Sequence, residues 1–127
     1  MSFYGLIAVA VGAVLGAWLR WWLSLLLNPV FPNLPLGTLT ANLVGGYVIG
    51  LATAFFSAHV HLPVEARLLL ITGFLGALTT FSTFSAEAVA LLERAQYGWA
   101  LAHISAHLTG SIVMTILGIL TVKAIQF

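Results

Sequence analysis

The chain has 127 residues, of which 61% are hydrophobic and only 6% charged, with a formal net charge of +1. An average soluble domain is roughly 25% charged, so this composition excludes a soluble globular protein and points to an integral membrane protein with room for one domain. The near-zero net charge offers no basic field for nucleic acid, and the lack of cysteine excludes disulfides and thiolate metal sites.

Taken in order, four apolar segments reach the roughly 20 residues that a bilayer span needs. They run from about Tyr4 to Leu27, Thr38 to Ser57, Ala66 to Leu92 and Trp99 to Ile125. The residues before the first, Met1-Ser2-Phe3, carry no basic charge, so this segment is expected to be retained as a span rather than cleaved as a signal. The first connection, residues 28–37, holds three of the four prolines and is not expected to be regular helix. The second, residues 58–63, ends on Pro63, which suits the first turn of the third helix. The third, residues 93–96, is a tight link, and short links make successive helices antiparallel neighbours. The expected fold is an all-α, single four-helix transmembrane domain spanning residues 1–127.

Four spans put both termini and the second connection on one side of the membrane. That side carries Arg67 and Lys123; Arg94 and Arg20 lie on or toward the other. The inside-positive bias is therefore about zero, and insertion in both orientations is as well supported as insertion in one. Oppositely inserted copies can pair about an axis in the membrane plane. The spacings Gly12-xxx-Gly16 and Gly46-xxx-Gly50 mark faces for close helix approach, within one chain or between chains.

Candidate chemistry concentrates in the third segment, where Gly73 and Gly76 are followed by Thr79, Thr80, Phe81, Ser82, Thr83, Phe84, Ser85 and Glu87. Glycines followed by Thr79-Thr80 fit either a broken helix or a continuous one that packs closely. A break frees backbone carbonyls, which suit a small cation, and creates a helix N-terminus, which suits an anion. Thr80, Thr83 and Glu87 follow helical spacing on one face, with Ser82 and Ser85 beside them. Hydroxyls replace part of an ion's hydration shell. Phe81 and Phe84, three residues apart, can present the positive edges of their rings to a small hard anion. Their plain alternative is core or lipid packing.

Arg20 and Asn42 lie roughly 6–10 Å below one membrane face at 1.5 Å per residue. Arg20 either snorkels beside Trp18, Trp21 and Trp22 or lines an electropositive vestibule. Asn42 either pins two helices together or offers amide donors to an anion. Thr115 in the fourth segment is deep enough to join a polar path. His103 and His107 have the i, i+4 spacing of a metal pair, but no carboxylate or thiol is near them in sequence, so no metal site is expected there.

The run Thr79 to Ser85 with Glu87, preceded by Gly73-Phe74-Leu75-Gly76, closely resembles the signature of the Fluc (CrcB-type) fluoride channels. Gly37-Thr38-Leu39 with Asn42 and Gly46, and Gly12 through Gly16 to Arg20, are similar to that family's first two helices. The resemblance covers essentially the whole chain. It implies an antiparallel, dual-topology homodimer with two fluoride pores and a broken third helix. It also implies a structural sodium ion held by backbone carbonyls of Gly76 and Thr79, with no organic cofactor. Phe81 and Phe84 would form an aromatic box on the fluoride path, Asn42 a donor beside it, and Ser82, Thr83, Ser85 and Thr115 its polar track. The implied activity is passive, non-enzymatic export of fluoride, with fluoride, the bilayer and a second copy as partners. The implied location is a prokaryotic plasma membrane (the inner membrane if Gram-negative), crossed several times.

Two other classes bear weighing. A proton-coupled exporter resembling the small multidrug-resistance proteins would depend on Glu87, the only deep carboxylate. That family places its essential acid in the first span, where this chain has Arg20 instead. A non-transporting scaffold subunit would tolerate polar changes at Phe81 and Phe84.

Overall fold

Ser2 starts the first helix: its Oγ accepts the Gly5 N–H at 2.9 Å, the bond of an N-cap. The computed structural model describes residues 1–126, and among these all regular structure is helical. Helix α1 covers Phe3–Leu27 and passes into one 3₁₀ turn, Asn28–Val30. Helix α2 is Leu36–Ala58. Its first turn has no capping side chain of its own, and Asn28 supplies one from across the proline-rich connection. Asn28 Oδ1 accepts the N–H groups of Gly37 at 2.7 Å and Thr38 at 3.2 Å.

The third span opens after Pro63 with α3, Val64–Arg67. It winds through a π-helical stretch, Leu68–Leu75, and closes a short α4, Gly76–Leu78. Helix α5, Ser82–Glu93, resumes after Thr79 to Phe81. Helix α6 then runs Tyr97–Gln126. Between α5 and α6 the chain turns on Ala95, whose φ of 58° is left-handed. Ala95 N–H reaches Leu92 O at 3.0 Å and Gln96 N–H reaches Leu91 O at 2.9 Å, the paired bonds of a Schellman cap.

Among the described residues, four stretches are long and apolar enough to cross a membrane: Phe3–Val30, Leu36–Ala58, Val64–Glu93 and Tyr97–Gln126. Large apolar side chains cover the outside, including Trp18, Trp21 and Trp22, each more than half exposed. Water would penalise such a surface, whereas lipid solvates it.

Glycine sets the packing. A methyl group at Gly12 or Gly16 would strike the backbone of Leu69 or Phe74, so these two let α1 lie directly on the third span. Gly46 and Gly50 meet the backbone of Ser111 and Thr115 in the same way, and bring α2 onto α6. Both spacings thus serve contacts within the chain, the first of the two roles open to them. The core between the two pairs is Ala41, Leu75 and Leu78, flanked by Leu19, Leu23 and Phe74.

Candidate functional site

The third span departs from helix at Thr79, whose ψ of 154° is extended. In an uninterrupted α-helix the Thr80 N–H would bond the carbonyl of Gly76, four residues back. It is instead 2.8 Å from Asn42 Oδ1, and Asn42 Nδ2 returns a bond to Thr80 O at 2.9 Å. The α2 side chain therefore satisfies both backbone groups of Thr80, which the extended step would otherwise leave unpaired. Arg20 completes the first side of the step by donating from Nε to Ala77 O at 2.9 Å. A cation is favoured there, at the carbonyl end of a helical segment. Thr80 completes the other side: its Oγ1 accepts the Thr83 N–H at 3.1 Å and so caps α5.

These bonds fix the Asn42 amide, because its oxygen must face the Thr80 N–H. Its second N–H then donates to His107 Nδ1 at 2.9 Å. That nitrogen is an acceptor, so neutral His107 carries its proton on Nε2.

Beside this step lies a groove of about 680 Å³, bordered by Asn42, Gly76, Thr79, Phe81, Phe84 and Thr115 among others. Its walls are mainly apolar, with Ile49, Leu75, Ile104 and Leu108 between the polar groups. The Phe81 and Phe84 rings meet edge-to-face, centroids 5.5 Å apart and planes at 64°. Phe81 is 78% exposed, so its ring stands open to whatever covers the groove. Thr115 Oγ1 lies within hydrogen-bond distance of Gly46 O at 3.0 Å and Ser111 O at 2.9 Å, tying its proton to backbone.

The structure thus gathers Asn42, Gly76, Thr79, Phe81, Phe84 and Thr115 around one groove. Arg20 sits behind it on Ala77. Ser82, Thr83 and Ser85 lie on the first turn of α5 outside the groove walls, Ser82 exposed and the other two half-buried. The Ser82 hydroxyl comes to 3.5 Å from that of Thr80.

Glu87 and the two histidines join this neighbourhood in a way that spacing did not predict. Glu87 is 16 positions from His103 in the chain, yet the turn at Ala95 folds α5 onto α6 and brings Glu87 Oε1 to 3.5 Å from His103 Nε2. His103 and His107 pack ring to ring with centroids 4.4 Å apart, and Phe84 covers both, at 5.2 and 4.6 Å. The i, i+4 histidine spacing was the only signal in the sequence. The missing carboxylate arrives through tertiary structure.

A family model described as "CrcB-like protein, Camphor Resistance (CrcB)" matches residues 7–119. A protein of Nitrosospira multiformis named fluoride-specific ion channel FluC is 65% identical, the match covering 97% of this chain and 96% of that protein. Proteins of the same name from Ralstonia pickettii and Cupriavidus pinatubonensis are 60% and 59% identical. Those matches cover 97% and 94% of this chain and 98% and 94% of the relatives. The chain that carries this asparagine-held step beside an aromatic pair belongs to the CrcB-like family.

Proposed function

We propose that this protein is a fluoride-selective ion channel that passively exports fluoride from the cytoplasm and so lowers its toxicity. The observation that carries this reading is that relatives coextensive with the chain bear the name fluoride-specific ion channel. Family membership sets aside the multidrug-resistance-like exporter. The chemistry of the groove agrees. Ring edges and hydroxyls are weak ligands for a small anion, and conduction needs sites weak enough to leave. Phe81 and Phe84 receive fluoride edge-on, and Asn42 holds the backbone beside them. The hydroxyl track runs from Thr115 on the groove wall, its proton held by backbone, to Ser82, Thr83 and Ser85 on the turn beyond that wall. Arg20 adds positive charge behind the step. The gradient alone drives transport, with no reaction catalysed.

The working unit is an antiparallel homodimer of dual-topology chains in a bacterial plasma membrane, crossed four times by each chain. Three features support it: a balanced charge distribution, a largely apolar open groove, and the exposed Phe81 ring at its edge. A second copy laid over this face would close the path. The third span acts as a broken helix within this unit. Its break turns the Thr79 carbonyl away from helical direction, and Thr80 N–H does not engage Gly76 O. Two such carbonyl oxygens suit a hard cation but are too few to complete its shell. The same pair from a second copy would complete a structural sodium site on the two-fold axis.

Efflux from liposomes loaded with fluoride or chloride tests this reading. Rapid fluoride release with little chloride release is expected. Equal release of both anions, or of neither from assembled protein, would overturn it.

A further inference from the structure

Three buried polar atoms have no hydrogen-bond partner among the described residues: Glu87 Oε1, His103 Nδ1 and His107 Nε2. All three belong to one cluster. Each of its residues offers a ligand atom within 4.8 Å of the other two. We propose that Glu87, His103 and His107 form a binding site for a divalent transition-metal ion, of which zinc is the probe of choice, and that its occupancy slows ion passage along the adjacent groove.

The donor set identifies the class of ion. Two imidazole nitrogens and one carboxylate oxygen suit zinc, nickel and copper, whereas magnesium and calcium prefer all-oxygen shells. A tetrahedral zinc site with bonds of about 2.0–2.2 Å spaces its ligands roughly 3.3–3.6 Å apart. Glu87 Oε1 already stands 3.5 Å from His103 Nε2, whose proton goes to the Phe84 carbonyl at 3.3 Å, so an ion bound through Nε2 moves that proton to the unpartnered Nδ1. The widest pair, within 4.8 Å, must close by at most about 1.5 Å to reach this spacing.

The surroundings hold the ligands in readiness. Thr38, itself buried, donates from Oγ1 to Glu87 Oε2 at 2.7 Å. That bond orients the carboxylate and leaves Oε1 for the ion, the arrangement in which an outer hydrogen bond fixes a metal ligand. Both histidines are buried, at 0% and 4% exposure, and two neutral imidazoles placed face to edge gain nothing from each other that explains three unpartnered atoms. Glu87 and His103 lie six and seven residues from the tight link at residues 93–96, roughly 9–10 Å into the span at 1.5 Å per residue. An ion therefore reaches them from the aqueous side on which that link lies.

Occupancy is coupled to the groove through one proton. His107 carries its proton on Nε2 because Nδ1 accepts from Asn42. An ion bound at Nε2 displaces that proton, and the neutral ring then holds one on Nδ1. There it faces the Asn42 N–H, and the hydrogen bond between them is lost. Asn42 is the residue that grips Thr80 beside the aromatic pair, so the ion acts where anions would pass.

The blocking role rests on the channel reading, whereas binding does not. The test is a titration of the full chain in detergent with cobalt(II), whose visible absorption reports tetrahedral coordination, and with zinc as competitor. The expected result is one ion per chain, with affinity reduced at least tenfold in Glu87→Gln and in His107→Gln. Glu87→Gln keeps an acceptor for Thr38, so its loss of binding would not reflect misfolding. A His59→Gln, His61→Gln variant should bind as the wild type does. An ordered water is the other occupant that these two acceptors and one donor fit. It predicts no cobalt spectrum at all, and that result, or binding unchanged in both cluster variants, would overturn the site. Zinc should also slow fluoride efflux from wild-type liposomes at least fivefold, measured against each variant's own rate, and spare Glu87→Gln. Zinc binding with undiminished efflux would overturn the blocking role. Absence of fluoride efflux even without zinc would count against the channel and leave the cobalt result standing.

Discussion

Asn42 and Thr80 lie 38 positions apart on different helices and exchange two hydrogen bonds, side-chain oxygen to N–H at 2.8 Å and side-chain N–H to carbonyl at 2.9 Å. The pair substitutes for the helical bonds that Thr80 forgoes at the extended step. It also directs the remaining Asn42 N–H toward His107, so one side chain organises the step, the capped start of α5 and the histidine cluster together.

Replacing Asn42 with alanine strands the Thr80 backbone and removes the His107 contact. A half-buried amide pair left unsatisfied costs about 1–3 kcal/mol. Asn42→Ala should lower the thermal unfolding midpoint and reduce fluoride flux, both measured on the same preparation. A variant with wild-type stability and flux would show that the step is held by other contacts.

Phe81→Ile and Phe84→Ile keep apolar bulk and remove the ring edge. An aromatic contact worth about 1 kcal/mol corresponds to about fivefold in rate, so each change should lower fluoride efflux by about that factor. Size-exclusion elution should stay that of the wild type. Unchanged efflux in both would remove the aromatic path from the mechanism.

Gly50 tests the packing of α2 on α6. A methyl there meets the Thr115 carbonyl, a backbone atom that cannot swing aside. Gly50→Ala should cost about 1–3 kcal/mol by overpacking. A methyl at Gly98 would have no neighbour within 4 Å, so Gly98→Ala should melt with the wild type. Equal midpoints for both would mean that the two helices are not in contact at Gly50.

The spans were legible because hydrophobicity over 20 residues is a local property of the chain, and the prolines of residues 28–37 mark the first link without tertiary information. The step at Thr79 was legible only as one of two readings of Gly73, Gly76 and Thr79-Thr80, since the same glycines also pack α1 on the third span. The π-helical stretch Leu68–Leu75 has no counterpart in the apolar pattern, which only Thr72 and Gly73 interrupt there. Glu87 illustrates the remaining gap. Sequence distance separates it from His103, and a left-handed alanine in a three-residue turn closes that distance. Neither hydropathy nor motif spacing encodes the turn.

Dual insertion can be tested by biasing it. Val60→Lys with His61→Lys adds positive charge to one side, and Asn33→Lys with Gln96→Lys to the other. Each variant expressed alone should insert in one orientation and lose most fluoride flux, and coexpression should restore it. Full activity of either variant alone would contradict the antiparallel dimer.

The most direct measurement of the central claim is the current through purified protein in a planar bilayer, with a tenfold fluoride gradient and an opposed chloride gradient. A passive fluoride channel should carry current that reverses at the fluoride equilibrium potential, about 59 mV in magnitude for a tenfold gradient of a singly charged ion. Reversal near the chloride potential, or no current from dimeric protein that binds the bilayer, would contradict it.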